Sequence, residues 1–369
     1  MDGRFVNYEL KISRLRRSLL YTVLGMSLFG TLLVYDASSI YAWFNFYDAM
    51  YFLKRQFVFI VLGCISMLLV LRLNIDYLRR YSKALLILGL VMLISVLLFG
   101  QKVAGARRWL KFFGFGFQPS EFIKIIFLVY LADYFARKRN QMSDILRGIM
   151  PVLSITGFIS LLIFLEPDFG NAIFLGLVLL IFLFTAKIPK KYFTMIIIGF
   201  LFVFIVLVSS SPYRRARIMS YLNPWADSQG SGFQLVQSQI GIGSGGILGL
   251  GIGESKQKLF FLPAAHTDFI FSIIAEEFGF IGSILILFFY VFIFLQGLRI
   301  LKWTNDYFRY YLGWGALIII ALQAFINVSV AIGIMPTKGM PLPFISYGGS
   351  STIVGFILLG LFLNATREA

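Results

Sequence analysis

Long apolar runs recur along the chain and are separated by short polar or basic stretches. We count ten candidate membrane spans, at residues 18–35, 56–73, 84–99, 121–135, 149–165, 171–186, 192–210, 279–298, 311–332 and 352–365. A hydrocarbon core about 30 Å thick takes roughly 20 helical residues to cross. The alternation typical of transmembrane β-strands is absent. The pattern therefore predicts an all-α polytopic membrane protein with about ten transmembrane helices in a single domain, residues 1–369.

The basic residues predict the orientation of these helices. Most of the 33 Lys and Arg residues fall on one side, in the N-terminal tail, around residues 72–83, 137–147, 187–191 and 299–309, and at Arg367. Because cytoplasmic loops are enriched in Lys and Arg, we expect cytoplasmic N- and C-termini. The first 17 residues resemble the basic flank of a signal anchor.

Composition narrows the class of protein further. Hydrophobic residues make up 59% of the chain and charged residues 14%, against about 25% charged in soluble domains. The net charge is +16, and the distribution of Lys and Arg across the predicted membrane accounts for it. We therefore expect no nucleic-acid partner. One Cys and one His exclude a His/Cys metal site, and any divalent cation would need oxygen ligands.

The longest interval without a clear span predicts a large extracytoplasmic loop, residues 211–278, between helices 7 and 8, with re-entrant or interfacial segments. It contains "LPAAHTDFIF", in which Asp268 lies near the only histidine, His266. A carboxylate at a water–lipid boundary has a tunable pKa and access to a lipid-borne substrate. The glycine-rich run 241–253 formally matches G-x-G-x-x-G, but no βαβ unit surrounds it. We interpret it as close backbone packing or backbone approach to a ligand.

Two further segments carry charge on the predicted outer side. The stretch 101–121 holds four bases, among them Arg107 and Arg108, which suit phosphate or, alternatively, lipid headgroups. It ends in "QPSEFIK", where Pro119 suits a helix start, and Glu121 and Lys124 are three residues apart on one helix face. Their pairing is compatible with a functional site or with a structural ion pair.

Two loops complete the set of candidates. "EPDFG", residues 166–170, places Asp168 on the outer side, either near the arginines or in an ordinary acidic turn. The Pro- and Gly-rich loop 333–351 contains Lys338 and Ser346, and its apolar residues suggest that it dips into the protein, since non-helical backbone at membrane depth must be buried or line a cavity.

Several motifs now occur in order: "GARRW", "QPSEFIK", "EPDFG", "AAHTDFIFSIIAEEFGFIG" and "MPLPFISYGGSS". In this order, on a ten-span chain, they closely resemble the SEDS family of cell-wall proteins (shape, elongation, division and sporulation). "PTKG", with Lys338, resembles the division-type (FtsW) branch, because elongation-type (RodA) members usually lack that lysine. Ala104 and Ala275 replace glycines that are common in the family.

The resemblance implies a peptidoglycan glycosyltransferase that polymerises lipid II at the outer face of the bacterial plasma membrane, at the division septum. It implies Asp268 as the catalytic base, with inversion at the donor carbon and undecaprenyl pyrophosphate as leaving group. The implied functional residues besides Asp268 are Arg108, Glu121, Lys124, Asp168 and Lys338. We add Arg107, His266 and Ser346 as further candidates for binding lipid II, with His266 alternatively positioning or capping its loop. A divalent cation, Mg²⁺ or Mn²⁺ on oxygen ligands such as Asp268 and Asp168, is compatible with this chemistry, and no nucleotide cofactor is expected.

The implied partners are lipid II, membrane lipid, a class B penicillin-binding protein (a transpeptidase of FtsI type) and other division proteins. Three alternatives remain. A lipid II flippase would also use intramembrane charges, an elongation-type RodA polymerase would share the chemistry, and a non-catalytic scaffold would tolerate substitutions at Asp268. Polymerisation in detergent, where no two compartments exist, separates an enzyme from a flippase.

Overall fold

The computed structural model describes residues 3–103, 106–112 and 115–367, most of which are helical. The first half contains α1 (Gly3–Phe46), α2 (Tyr51–Arg72), α3 (Ile75–Arg80), α4 (Ser82–Phe99), α5 (Pro119–Lys138), α6 (Met150–Leu165) and α7 (Phe169–Thr185). The second half contains α8 (Lys190–Ser209), α9 (Pro212–Leu222), α10 (Phe233–Ser244), α11 (Ile270–Leu301), α12 (Tyr307–Ala331) and α13 (Gly349–Ala365).

A helix lies at each of the ten predicted span positions. Among the described residues, seven helical segments are long and apolar enough to cross a membrane, and α7 and α13, with 17 residues each, are shorter apolar helices. The remaining helix at a predicted span position is α5. Its 20 residues include five charged ones, Glu121, Lys124, Asp133, Arg137 and Lys138. The multi-pass membrane class is thus confirmed, while the exact number of crossings stays a prediction.

Some helices continue beyond the ends of the predicted spans, through polar residues that have partners in the fold. The first predicted span ends at residue 35, but α1 continues to Phe46. Asp36 lies in this continuation, and it is held by an ion pair to Lys258 rather than ending the helix. A charged residue can therefore end an apolar run without ending the helix, because a partner within the fold balances its charge.

The stretch before α5 forms a small sheet that the sequence analysis did not predict. Strands β1 (Gln101–Val103), β2 (Ala106–Phe112) and β3 (Phe115–Phe117) pair antiparallel in the order β1-β2-β3. Residue Lys102 is opposite Arg107, and Lys111 is opposite Gly116. The strands are too short for a clear period of two. Ala104 and the first residue of "GARRW", Gly105, lie outside the described residues.

The chain divides into two compact units. The first comprises Met1–Leu62, Val206–Ile300 and Ile320–Gly355, and the second comprises Gly63–Ile205, Leu301–Ile319 and Phe356–Ala369. Asp268, His266, Lys338 and Ser346 belong to the first unit. Arg107, Arg108, Glu121, Lys124 and Asp168 belong to the second.

Helix α5 forms much of the core of the second unit. Fourteen of its residues are buried, including all four of Phe127, Leu128, Val129 and Tyr130. Pro119 begins the helix after Gln118, which is extended, because proline fixes φ and needs no backbone donor in the first turn. In contrast, α8 buries no residue and is mainly apolar after Lys190 and Lys191, as expected of a helix that faces lipid.

In the first unit, the glycine-rich segment packs directly on α11. Backbone N–H groups of Leu250 and Gly251 donate to the carbonyls of Glu276 and Glu277 at 3.0 and 3.1 Å. A side chain on Gly245 or Gly249 would clash with the carbonyls of Ala275 and Glu277. This supports close backbone packing, the first of the two interpretations given to the glycine run.

Helix α11 is broken at Gly279, nine residues after its start. Gly279 has φ 65° and ψ −159°, a conformation that L-residues with a side chain rarely adopt. A Cβ there would also lie 2.6 Å from the Ile247 carbonyl oxygen. The predicted large loop ends at residue 278 and the next predicted span begins at residue 279, and the break in α11 falls at this boundary.

Candidate active site

Asp268 lies in a run of turns directly before α11, and its side chain is half-buried. Its backbone N–H donates to the Ala264 carbonyl at 3.1 Å, and Ala264 has a left-handed φ of 59°. Asn327 of α12 donates from Nδ2 to the Asp268 carbonyl at 2.8 Å and to the Met340 carbonyl at 2.6 Å. The tight turn and Asn327 therefore fix the backbone that carries the carboxylate.

The "PTKG" segment passes directly beside the Asp268 carboxylate. A Cβ built on Gly339 would lie 2.7 Å from Asp268 Oδ2. Any other residue at this position would therefore displace the carboxylate. The preceding residue, Lys338, is half-buried. Two residues of α9 hold this segment: Arg217 donates to the Thr337 carbonyl at 3.2 Å, and the Tyr221 hydroxyl donates to the Ile334 carbonyl at 2.7 Å.

His266 lies in an aromatic cluster rather than in a charged site. Its ring centroid is 4.5 Å from that of Phe52, 5.9 Å from Tyr41 and 5.8 Å from Tyr347. Burial lowers the pKa of His266 to about 4, so the imidazole is neutral at pH 7. A neutral, packed imidazole suits the positioning of the loop, and it adds no positive charge for a pyrophosphate.

Ser346 is buried within its own loop. Its hydroxyl accepts a hydrogen bond from the Leu342 backbone N–H at 2.8 Å, and its carbonyl accepts one from Gln56 Nε2 at 3.2 Å. The residue is 3% exposed. This geometry favours a structural part in the loop, and a contact with substrate stays a prediction.

Glu121 and Lys124, in the second unit, form the ion pair that their spacing predicts. Lys124 Nζ is 2.6 Å from Glu121 Oε1, and both side chains are buried. The ammonium also lies 5.0 Å from the centroid of the Phe174 ring, close enough for a cation–π contact. Within the described residues, the second carboxylate oxygen, Glu121 Oε2, has no hydrogen-bond partner.

Asp168 caps α7. Its carboxylate accepts from the Asn171 backbone N–H at 3.2 Å and from Asn171 Nδ2 at 2.9 Å, and the Ser120 hydroxyl lies 3.4 Å from Oδ2. An N-cap carboxylate satisfies otherwise unpaired donors of the first turn. The sequence analysis treated Asp168 as a substrate or metal ligand, whereas in the structure its oxygens are engaged by "QPSE" and by its own helix.

Arg108 reaches the same loop. It donates from Nε to the Glu166 carbonyl at 3.2 Å and from one terminal nitrogen to the Pro167 carbonyl. These carbonyls follow the C-terminus of α6, where a cation is favourable. Arg107 is exposed, and as a neighbour on β2 it points to the opposite face of the strand. The two arginines expected to bind phosphate together therefore point to opposite faces of β2. Some of the Arg108 donors are already bound to backbone carbonyls.

Glu166 is a buried acid that the sequence analysis did not single out as a site. Its side chain has no solvent exposure, and within the described residues neither carboxyl oxygen has a hydrogen-bond partner. Burial, and then the neighbouring Asp168, raise the pKa of Glu166 to about 8, while Arg108 acts in the opposite direction. Glu166 is therefore mostly protonated at neutral pH.

A charged triad with two buried members, Lys258 and Glu277, and a half-buried Asp36 was also missed, and it ties the loop before Asp268 to two helices. Lys258 Nζ lies 2.8 Å from Asp36 Oδ1 of α1 and 2.8 Å from Glu277 Oε1 of α11. Burial alone would lower the pKa of Lys258, but the hydrogen bonds to the two carboxylates outweigh it and raise the pKa. Asp36 and Glu277 each interrupt an apolar run. This is the sequence feature that could have indicated a charged partner elsewhere in the chain.

Glu276 organises the same segment through backbone donors. It accepts from the Lys256 N–H at 3.1 Å, from the Gln257 N–H at 3.3 Å and from the Ser255 hydroxyl. The adjacent acids of "AEEFG" therefore hold residues 255–258 by complementary means: Glu276 binds the backbone, and Glu277 binds Lys258.

The described residues contain no group of three or more His, Cys, Asp or Glu side chains that could hold a metal ion. The described residues therefore do not provide a metal site built from protein ligands alone. A cation bound through a single carboxylate and the substrate would take most of its ligands from phosphate and water. The predicted divalent cation stays a prediction.

Comparison with known proteins matches nearly the whole chain. The model of the FtsW/RodA/SpoVE family, described as a cell cycle protein, matches residues 16–369. A probable peptidoglycan glycosyltransferase FtsW of Geobacter metallireducens is 38% identical over 98% of this chain and 98% of its own length.

Solved structures match the fold over the same extent. A chain from a study of the structural coordination of polymerization and crosslinking by a peptidoglycan synthase complex aligns with a TM-score of 0.78 and 26% identity, covering 95% of this chain and 97% of its own. The rod shape determining protein RodA of Thermus thermophilus aligns with a TM-score of 0.70 and 25% identity, covering 95% and 96%.

Proposed function

Because the chain belongs to the SEDS family, the cell cycle proteins that include FtsW and RodA, we propose that it is a peptidoglycan glycosyltransferase that polymerises lipid II. The chain is of the FtsW type. The observation that carries the chemistry is the half-buried Asp268, fixed by Asn327 and lying against the "PTKG" backbone. These contacts support the proposal that Asp268 meets the substrate while hydrogen bonds fix the backbone that carries it.

The proposed reaction is an inverting transfer with Asp268 as general base. The attacking sugar hydroxyl loses its proton to the Asp268 carboxylate, and its oxygen forms a bond to C1 of the donor sugar from the face opposite the leaving group. The bond from C1 to the phosphate oxygen breaks, and undecaprenyl pyrophosphate leaves with that electron pair. Because the leaving group is already an anion, it needs cations rather than a general acid.

We propose supporting roles for the other candidate residues. In the first unit, Lys338 is the candidate cation for the pyrophosphate. In the second unit, the exposed Arg107 and the donors of Arg108 that the Glu166 and Pro167 carbonyls do not use stay candidates for phosphate. The Glu121–Lys124 pair contributes a buried charge pair to the second unit. His266, Ser346 and Asp168 act by holding the loops in which they lie. A divalent cation would assist the leaving group by neutralising charge, and no step above depends on it.

The family supports a proposal for the partners and the location. We propose a class B penicillin-binding protein of FtsI type as the crosslinking partner, in agreement with the similarity to a chain of a peptidoglycan synthase complex, and other division proteins at the septum. The predicted positive-inside orientation puts Asp268 at the extracytoplasmic face, where lipid II has already crossed the membrane.

The decisive experiment assays the purified chain with its transpeptidase partner on lipid II, with glycan products separated on a gel. Asp268→Asn and Asp268→Ala are expected to insert and fold normally but to lose polymerisation, because neither can accept the hydroxyl proton. Asp227→Asn is a matched control, because Asp227 is an exposed acid in the same large loop whose carboxylate accepts from Ser231. A fully active Asp268→Ala would contradict the mechanism.

The same assay separates the alternatives. A flippase makes no glycan in detergent, where there are no two compartments, so polymer formation there excludes transport as the only activity. A scaffold would not respond to Asp268→Asn. To separate a division role from an elongation role, rescue of cells depleted of either polymerase is the direct measurement, and Lys338→Ala is expected to impair the division phenotype.

A further inference from the structure

A second polar site lies at the other end of α5, in the second unit. It is a cleft of about 430 Å³ lined by four bases, Arg79, Arg80, Lys83 and Arg137, and by Asp76 and Asp133. Asp133 follows Glu121 by 12 residues, or about 18 Å along the helix axis at 1.5 Å per residue. The cleft is thus separate from the Glu121–Lys124 pair, and the proposed reaction does not use it.

Asp133 anchors one wall of the cleft. Its buried carboxylate accepts from the Ser82 hydroxyl at 2.8 Å and from Arg137 Nε at 3.0 Å, and Arg79 Nε lies 3.9 Å away. Arg79 also lies 3.8 Å from Asp306. These contacts hold the two guanidinium groups in place at the rim, because a buried carboxylate with several donors has little freedom to move.

The other two bases leave an excess of positive charge. Arg80 and Lys83 are exposed, and within the described part of the chain no carboxylate lies at ion-pair distance from either. With four bases and two acids, the lining carries a formal excess of two positive charges. The remaining donors of the fixed guanidinium groups and the two exposed bases suit a phosphate.

The surroundings place the cleft at a water–lipid boundary. Ser82 begins a candidate membrane span, and Tyr77 and Tyr81 beside it are 59% and 52% exposed. Exposed tyrosines next to a span are typical of the membrane interface. The four bases belong to the set that predicts the cytoplasmic side, where anionic lipids attract juxtamembrane bases.

We propose that this cleft binds the phosphate of an anionic phospholipid of the cytoplasmic leaflet. Arg79 and Arg137 present donors fixed by Asp133, while Arg80 and Lys83 supply the uncompensated charge. The acyl chains lie along the adjacent apolar surface of α4. The lipid is a ligand distinct from the lipid II substrate, and it binds whether or not the chain is a polymerase.

The test measures lipid retained by the full-length chain in nanodiscs, by native mass spectrometry, with phosphatidylcholine alone or with added phosphatidylglycerol. Arg80→Glu/Lys83→Glu is expected to retain phosphatidylglycerol at least about tenfold less well than wild type, since each base near the surface contributes several-fold to binding. Lys190→Glu/Lys191→Glu is the matched control, because both lysines are exposed and are predicted on the same side. It is expected to lose clearly less phosphatidylglycerol than the cleft variant, because these lysines attract anionic lipid only by their charge and do not line the cleft.

Equal retention by the cleft variant and the control would overturn the proposal. If the charge reversal prevents folding, Arg80→Gln/Lys83→Gln replaces it, with the same expected direction. A third arm adds inorganic phosphate to the chain in phosphatidylcholine nanodiscs and follows the melting temperature. Stabilisation by phosphate without any preference for phosphatidylglycerol would show that the cleft takes a soluble anion, and the lipid assignment would be wrong.

Discussion

Lys124 is fully buried, and its charge is balanced by Glu121 at 2.6 Å. Removing one partner of a buried pair leaves an uncompensated charge and destabilises by about 3–5 kcal/mol, whereas replacing both with apolar or neutral groups is often close to neutral. The pair therefore allows stability and catalysis to be separated by a double substitution.

We expect Glu121→Gln and Lys124→Met each to lower the thermal stability of the chain in detergent, because each leaves the other charge without its partner. The double variant Glu121→Gln/Lys124→Met is expected to recover most of that stability. If the pair also serves the reaction, the double variant stays inactive on lipid II. Recovery of both stability and polymerisation would show that the pair is structural only.

Glu166 shows the opposite arrangement, a buried acid whose oxygens have no hydrogen-bond partner among the described residues. Its pKa is raised from an ordinary 4.5 to about 8. Between these values the folded chain keeps a proton that the unfolded chain releases. The stability that Glu166 contributes is therefore greatest below its unfolded pKa, falls as pH rises through this window, and changes no further above the folded pKa.

Glu166→Gln is expected to flatten this part of the pH dependence, because the amide has no proton to lose. Melting temperatures of wild type and variant, measured from about pH 5 to about pH 8, should diverge as pH rises, in favour of the variant. His266, whose pKa is lowered, titrates in both proteins and cancels in the difference. Asp168 and Arg108, the charged neighbours of Glu166, are present in both proteins. Parallel curves would contradict the assignment.

At the scale of elements, the segment before Asp268 takes its conformation from partners distant in sequence. Lys258 is held by α1 through Asp36 and by α11 through Glu277, while Glu276 accepts from the backbone of residues 256 and 257. Helix α11 thereby holds the beginning of a segment whose end carries the proposed base. These contacts make Lys258 a positioning residue.

Lys258→Ala is expected to lower the turnover rate on lipid II more than the apparent affinity, because the segment that leads to Asp268 loses its fixed position while the binding cations remain. Lys258→Arg should restore part of the rate, since it keeps the charge between Asp36 and Glu277. Lys256→Ala is the control, because the Lys256 side chain is exposed and only its backbone is engaged. An unchanged rate in Lys258→Ala, with normal folding, would remove the positioning role.

At the scale of the whole molecule, the orientation predicted from the basic residues can be tested directly, because Cys64 is the only cysteine. In a Cys64→Ala background, Gln229→Cys and Asn140→Cys place single thiols at exposed positions. With a membrane-impermeant thiol reagent on intact spheroplasts, Gln229→Cys is expected to react and Asn140→Cys is not. Both should react after permeabilisation. The reverse result would invert the topology and move Asp268 to the cytoplasmic side.

Much of the architecture was predictable because membrane insertion depends on local sequence. Each apolar run must satisfy its backbone hydrogen bonds within itself, so a helix follows from composition and length alone. The positions of all ten predicted helices and the pairing of Glu121 with Lys124 rest on helical geometry. The sheet of β1, β2 and β3 escaped prediction because its strands are short, so a local period of two does not stand out in the sequence.

By itself, the sequence determined the membrane class, the family and the candidate residues, since hydrophobicity, helical spacing and motif order are properties of neighbouring positions. Only the tertiary structure decided which residues each side chain contacts. It engaged Asp168 and Arg108 in the fold, surrounded His266 with aromatic rings, left Glu166 buried, and brought Gly339 against Asp268. Burial and long-range contacts set these outcomes, because a side chain's charge and freedom depend on residues that the chain brings together only when it folds.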